Sequence, residues 1–161
     1  MSADLPQDGL EGRLQGRTIS LVSSVALALF TGAVLATSVW LEPAIAGHST
    51  HMQLGLNTCS FLKLSGQPCP MCGATTTFAL MSDLQPIAAL LNQPFASLLY
   101  LLTWGVFGLS VAEIVRPRDR WIRLVAWIEP IEGRLAAAFL TLMGLSWIWK
   151  AVAMSSWNPT A

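Results

Sequence analysis

Charged side chains are scarce in this chain of 161 residues, where Asp, Glu, Lys and Arg together make up 11%. Soluble globular domains carry about 25% charged residues, because charge covers the surface that faces water. The nine acidic and nine basic residues also cancel, so the basic excess of a nucleic-acid-binding protein is missing. The composition therefore argues against a soluble domain and predicts no nucleic-acid partner.

Long apolar runs take the place of the missing charge, at residues 18–41, 94–115 and 135–154. The first run has 23 consecutive uncharged residues, beginning at position 19. About 20 apolar residues are enough for a helix to cross the hydrocarbon core of a bilayer. We predict an all-α membrane protein in which three transmembrane helices form one membrane domain over residues 18–161, embedded in the lipid bilayer.

Positive charge is uneven between the two sides that three spans would create. Residues 1–17, predicted to form a loose tail, and the 116–134 loop together hold seven Arg residues, whereas the opposite side has only Lys63 and Lys150. Because Lys and Arg favour the cytoplasmic side, we expect a cytoplasmic N-terminus and an extracytoplasmic 42–93 loop. The alternative is signal-peptide cleavage after residues 44–46, although the uncharged run before them exceeds the usual length of about 7–15 residues.

The two connecting loops show helical patterns of their own. In the 42–93 loop we predict one short helix over residues 70–82 and another over 86–92, both too short to cross the membrane. The 116–134 loop is predicted to hold a short amphipathic helix in the inner membrane interface, separated from the third span by Pro130. The extracytoplasmic loop is therefore expected to be helical and to pack on the spans.

The chain has three cysteines, and all of them lie in the 42–93 loop. From position 59 the sequence reads CSFLKLSGQPCPMCGATTTF. It resembles a bacterial membrane family known as domain of unknown function 2752, whose signature is Cys-Pro-x-Cys-Gly-x-Thr-Arg with a Cys, a Lys and a Gly ahead of it. The positions that match this pattern are Cys59, Lys63, Gly66, Cys69, Pro70, Cys72, Gly73 and Thr75.

The resemblance extends to the second span, where Gln93-Pro94 occupies the place of an Asn-Pro pair that the family often has. Thr76 stands where the signature has Arg, so any role that depends on that guanidinium is in doubt. The resemblance implies a protein of the bacterial cytoplasmic membrane. It implies no reaction, because the family has no known activity.

Two interpretations of the cysteine cluster are based on disulfide chemistry. In a structural interpretation, a Cys59–Cys69 or Cys59–Cys72 disulfide closes a loop and stabilises it by about 3 kcal/mol, since extracytoplasmic compartments are oxidising. In the other, the loop performs thiol–disulfide exchange. Pro70 would then be the first residue of a helix, Cys69 the attacking thiol at its N-terminus and Cys72 the resolving thiol.

Metal binding is the third interpretation of the same cluster. Cys69 and Cys72 could ligate zinc or iron, and a tetrahedral site needs two more ligands. Cys59, or His48 and His51, could provide them, although the spacing fits no familiar zinc finger. The two histidines are also explained as an exposed pair in a loop, and Thr75 as a residue that lines the cysteine motif.

Ionisable groups are missing from the middle of all three spans. Glu113, near the end of the second run, is expected to pair with Arg116 at helical spacing, and Lys150 to extend its ammonium to the membrane interface. Transporters and pumps usually need ionisable residues within their spans. The sequence therefore favours a non-enzymatic role as a small accessory or scaffold subunit, with other membrane protein subunits as partners.

Overall fold

The computed structural model describes residues 7–57 and 59–156 and, of their side chains, those of 16–57 and 59–154. Every regular element in these ranges is helical, and they contain no strand. The α-helices are α1 (Gln7–Trp40), α2 (Ser60–Ser65), α3 (Ala74–Ser82), α4 (Pro86–Asn92), α5 (Pro94–Val115), α6 (Arg120–Ile128) and α7 (Glu132–Ser156). Short 3₁₀ turns cover Thr50–Leu54 and Glu129–Ile131. The predicted all-α class is confirmed.

Three helical stretches are long and apolar enough to cross a membrane: Gly16–Trp40, Pro94–Val115 and Arg120–Met154. Proline in the first turn fits the start of α5, because its missing N–H would have no partner there. The predicted bounds of α4 and α5 are confirmed. The N-terminal tail differs from the prediction, since residues 7–17 extend α1 and are not a loose segment.

Helices α1 and α5 pack closely against each other. At their contact, a Cβ atom added to Gly32 would lie 3.2 Å from the Cε2 atom of Phe107, so the missing side chain lets the ring of α5 approach α1. Small residues allow close approach in membrane helix pairs. The hydroxyl of Ser24 donates to the carbonyl of Ser20 at 2.7 Å, so this polar group is satisfied inside its own helix.

Glu113 organises the turn between α5 and α6. Its carboxylate is 1% exposed and forms an ion pair with Arg120 at 3.1 Å. It also accepts backbone N–H bonds from Arg118, Asp119 and Arg120 at 2.8–3.2 Å. The prediction that Glu113 pairs with Arg116 is wrong. The chain folds back after α5, so the carboxylate meets the N-terminus of α6, where negative charge is favoured.

The first half of α7 has little contact with the rest of the chain. All residues from 132 to 142 are exposed, although Phe139 meets the ring of Phe95 edge-on at a centroid distance of 4.8 Å. Pro130 does not separate α6 from α7 as predicted, because it lies in the 3₁₀ turn that joins them into one helical stretch. The second half of α7 packs on the 42–93 segment, which we call the cysteine loop.

Candidate functional site

Backbone carbonyls hold the cysteine loop against the spans. The indole N–H of Trp147 donates to the carbonyl of Pro68 at 2.7 Å, and the side-chain amide of Gln93 donates to that of Pro70 at the same distance. Trp149 donates in the same way to Leu91 at 2.8 Å. The bond from Trp147 fixes the Cys-Pro segment, and the bond from Trp149 fixes α4.

A buried polar network lies directly behind the cysteine motif. The ammonium of Lys150 donates to the carbonyl of Gly47 at 2.9 Å and to Oδ1 of Asn92 at 2.6 Å. The amide of Asn92 donates in turn to the carbonyl of Gly73 at 3.2 Å and to the hydroxyl of Thr77 at 2.9 Å. The network therefore joins α7, α4 and both ends of the cysteine loop.

Lys150, which was expected to extend its ammonium to the membrane interface, directs it into the polar network, and the side chain is only 5% exposed. Its hydrogen-bond partners explain the difference, because carbonyl and amide oxygens replace the water that a buried ammonium loses. No carboxylate lies within 4.0 Å of it among the described residues, where the Arg120–Glu113 pair is the only salt bridge found.

Two glycines make this close arrangement possible. Gly47 and Gly73 both have positive φ values, of 70° and 89°. A Cβ atom on Gly73 would lie 2.5 Å from the carbonyl oxygen of Gly47, and one on Gly47 would lie 2.5 Å from Oδ1 of Asn92. Only glycine fits both the backbone conformation and the space.

The threonines of the motif have structural positions. Thr76 is fully buried, and its hydroxyl is hydrogen-bonded to that of Thr50 at 2.8 Å. A guanidinium would have no room there, so the departure from the family signature agrees with the packing. Thr75 lines an apolar groove of about 390 Å³ beside α1, together with Met71 and Phe78.

The three cysteines come together although they lie on different local structures. Cys59 precedes α2, whereas the amide of Cys72 donates to the carbonyl of Cys69 at 2.9 Å and closes a turn. Cys59 and Cys69 are close enough for each thiol to influence the pKa of the other. The helix predicted from Pro70 begins only at Ala74, so Cys69 is not at a helix N-terminus.

The environments of the three thiols differ. The backbone amide of Leu62 hydrogen-bonds to Cys59 and lowers the pKa of this thiol. Burial raises the pKa of Cys69, and it raises that of Cys72 to about 11. Because the thiolate is the nucleophile, we expect Cys59 to be more reactive than Cys72, which is only 7% exposed.

The two histidines are held by local partners. Nδ1 of His48 is hydrogen-bonded to the hydroxyl of Ser49 at 2.8 Å, and Nε2 of His51 to the carbonyl of Asn57 at 3.2 Å. Burial, followed by the charge of nearby Lys150, lowers the pKa of His48. Within the described ranges no group of three or more His, Cys, Asp or Glu side chains is placed to hold a metal ion.

Lys150 and Asn92 belong to the site, although the sequence did not predict this. Lys150 was the only charged residue of its run, which is a usable signal, since an isolated cation in an apolar helix needs either an interface or a buried partner. Asn92 carries no comparable signal, because its role depends on a contact 58 residues away.

Residues 59–107 match the protein family described as "Protein of unknown function (DUF2752)". The match covers fewer than half of the residues, and these include the three cysteines and the helices α2, α3 and α4. It confirms the resemblance inferred from the cysteine motif. No curated protein matches the chain, and no solved structure does.

Proposed function

We propose that this chain is a small accessory subunit that binds a transmembrane helix of another protein through the first half of α7. This proposal is based on the exposure of every residue from 132 to 142. A helix packed in its own bundle buries one face, whereas this segment has no buried residue over about three turns, although Phe139 contacts Phe95. Gly133, Ala136 and Ala137 are small, and small residues let a partner backbone approach closely.

The ionisable groups near the spans support an accessory role. The carboxylate of Glu113 accepts hydrogen bonds from backbone amides and pairs with Arg120. The ammonium of Lys150 donates hydrogen bonds to Gly47 and Asn92. Ion pathways need groups that exchange partners, whereas these two groups hold loops in place. The described part of the chain therefore resembles a support for other subunits more than a pathway of its own.

Paired variants test the accessory role. Partner membrane proteins should copurify with the wild-type chain at a fixed ratio. In Ala137→Trp the new side chain fills the exposed surface of α7, and we expect the amount of these copurifying proteins to fall at least tenfold. Leu102→Trp adds the same bulk on α5, where Leu102 is 50% exposed, and should retain them. A wild-type chain that purifies gently as a lone monomer or homodimer would contradict the proposal.

Thiol–disulfide exchange is a second candidate, favoured by the influence that Cys59 and Cys69 have on each other's thiol pKa. The Cys59 thiolate would attack a partner disulfide, releasing one partner thiolate and forming a mixed disulfide. Cys69 would then lose its proton, attack the sulfur of Cys59 and release the second partner thiolate. The partner gains two electrons and the pair becomes a disulfide. The interaction between these two thiols therefore makes Cys59 and Cys69 the candidate pair, in place of the Cys69–Cys72 pair expected from the sequence.

The exchange candidate makes a prediction that separates the two pairs. Cys69→Ser should trap a mixed disulfide at Cys59, because the resolving thiol is gone, whereas Cys72→Ser should behave as wild type. Non-reducing gels and peptide mass spectrometry report both results. Trapping in Cys72→Ser alone would restore the Cys69–Cys72 assignment, and no trapping in either variant would end the exchange candidate.

A further inference from the structure

A pocket of about 350 Å³ opens beside Lys150. Its polar lining consists of His48, Asn92 and Lys150, and its apolar lining includes Ile45, Leu91 and Met154. No acidic residue is among its lining residues. The pocket is therefore positive at one end and apolar along its walls.

The charge in this pocket is not compensated by the described residues. The two oxygens that accept from the ammonium of Lys150 belong to neutral groups, a backbone carbonyl and an amide. Cys72 lies close enough for its thiolate to interact with Lys150, but burial keeps that thiol protonated at neutral pH, with a pKa of about 11. A buried cation without a counter-charge is costly, and a bound anion would offset this cost.

His48 also lines the pocket and can provide a second donor. When Nδ1 accepts the hydroxyl hydrogen of Ser49, the hydrogen of a neutral imidazole is on Nε2. The lowered pKa of His48 favours this neutral form at pH 7. The pocket then presents one ammonium and one N–H donor.

We propose that the pocket at Lys150 binds a phosphate group. Phosphate oxygens accept hydrogen bonds from an ammonium and an imidazole together, and charge-assisted bonds of this kind are about twice as strong as neutral ones. Lys150 lies near one end of the apolar stretch Arg120–Met154, where the headgroups of a bilayer meet its hydrocarbon. The exposed side chains of Ile45 and Leu91 would contact the chains of a phospholipid; free phosphate is the other source of the same group.

Thermal unfolding of the full chain in neutral detergent tests this proposal with two probes. Inorganic phosphate and phosphatidylglycerol are added separately, with potassium chloride at matched ionic strength as the reference. We expect at least one probe to raise the Tm by several degrees. A rise with phosphatidylglycerol alone identifies a lipid as the source, and equal rises with both identify a free phosphate. The absence of a rise with either probe would overturn the proposal.

Three variants connect the effect to the pocket. Lys150→Gln and His48→Gln should each weaken the binding that the Tm titration measures, by about tenfold or more for Lys150→Gln. Lys63→Gln removes an exposed charge on α2 and should leave the titration unchanged. His48 is outside the buried network, so His48→Gln keeps the test valid if Lys150→Gln does not fold. The site would be contradicted if His48→Gln titrated like the wild type and Lys150→Gln either titrated like the wild type or did not fold.

Discussion

Replacement of Glu113 by Ala is expected to lower the free energy of unfolding by about 3 kcal/mol. Removing one partner of a buried ion pair costs about 3–5 kcal/mol, and the side chain of Arg120 is 25% exposed, so that water recovers part of this cost. Three backbone N–H groups at the start of α6 lose their acceptor as well. Unfolding in mixed micelles with increasing dodecyl sulfate would measure the change.

Two further variants separate charge from hydrogen bonding at this position. Glu113→Gln keeps one acceptor oxygen and should recover part of the loss. Glu129→Gln, on an exposed residue of the same region, should change the unfolding free energy by less than about 0.5 kcal/mol, as surface substitutions usually do. If Glu113→Ala were as mild as Glu129→Gln, the carboxylate would not be organising the turn between α5 and α6.

Replacement of Gly73 by Ala is expected to displace the cysteine loop from the spans. The positive φ of 89° costs about 1–2 kcal/mol for any other residue. The new Cβ would in addition lie 2.5 Å from the carbonyl oxygen of Gly47, a backbone atom, and such overpacking costs about 1–3 kcal/mol. We therefore expect a total loss of about 2–5 kcal/mol, together with faster alkylation of the buried Cys72 thiol.

Gly66 offers a matched control for this prediction. Its φ of 68° is also positive, but nothing lies within 4 Å of the position of its Cβ. Gly66→Ala should therefore lose only the conformational part, about 1–2 kcal/mol, and leave the alkylation rate of Cys72 unchanged. Equal losses in the two variants would mean that the contact between Gly73 and Gly47 has no energetic importance.

The helices were predictable where a local signal marks their ends. Pro86 and Pro94 each fit the first turn of a helix, and the bounds of α4 and α5 follow directly from them. Pro70 gives the same signal, but the helix predicted to begin there begins only at Ala74, after Gly73 with its positive φ. That conformation depends on the close contact with Gly47, which is 26 positions earlier in the chain.

The sequence predicted which residues could form the candidate site, but not how they contact one another. The spacing of the cysteines indicated that they act together, but not that Cys59 and Cys69 influence each other's pKa. The positions of Lys150 and Glu113 show the same limit. Each was expected to face an interface or a helical neighbour, and each instead meets backbone groups that arrive from another segment. Contacts of this kind leave no periodic pattern in a sequence.

The anchoring of the cysteine loop by α7 has a consequence for biosynthesis. Ribosomes add residues in order, so Trp147 is translated 79 positions after Pro68, and Lys150 is translated 103 positions after Gly47. Until the last helix emerges and inserts, the carbonyls of Pro68 and Gly47 lack these donors. The thiols would therefore reach their final arrangement only after α7 has been synthesised and has inserted.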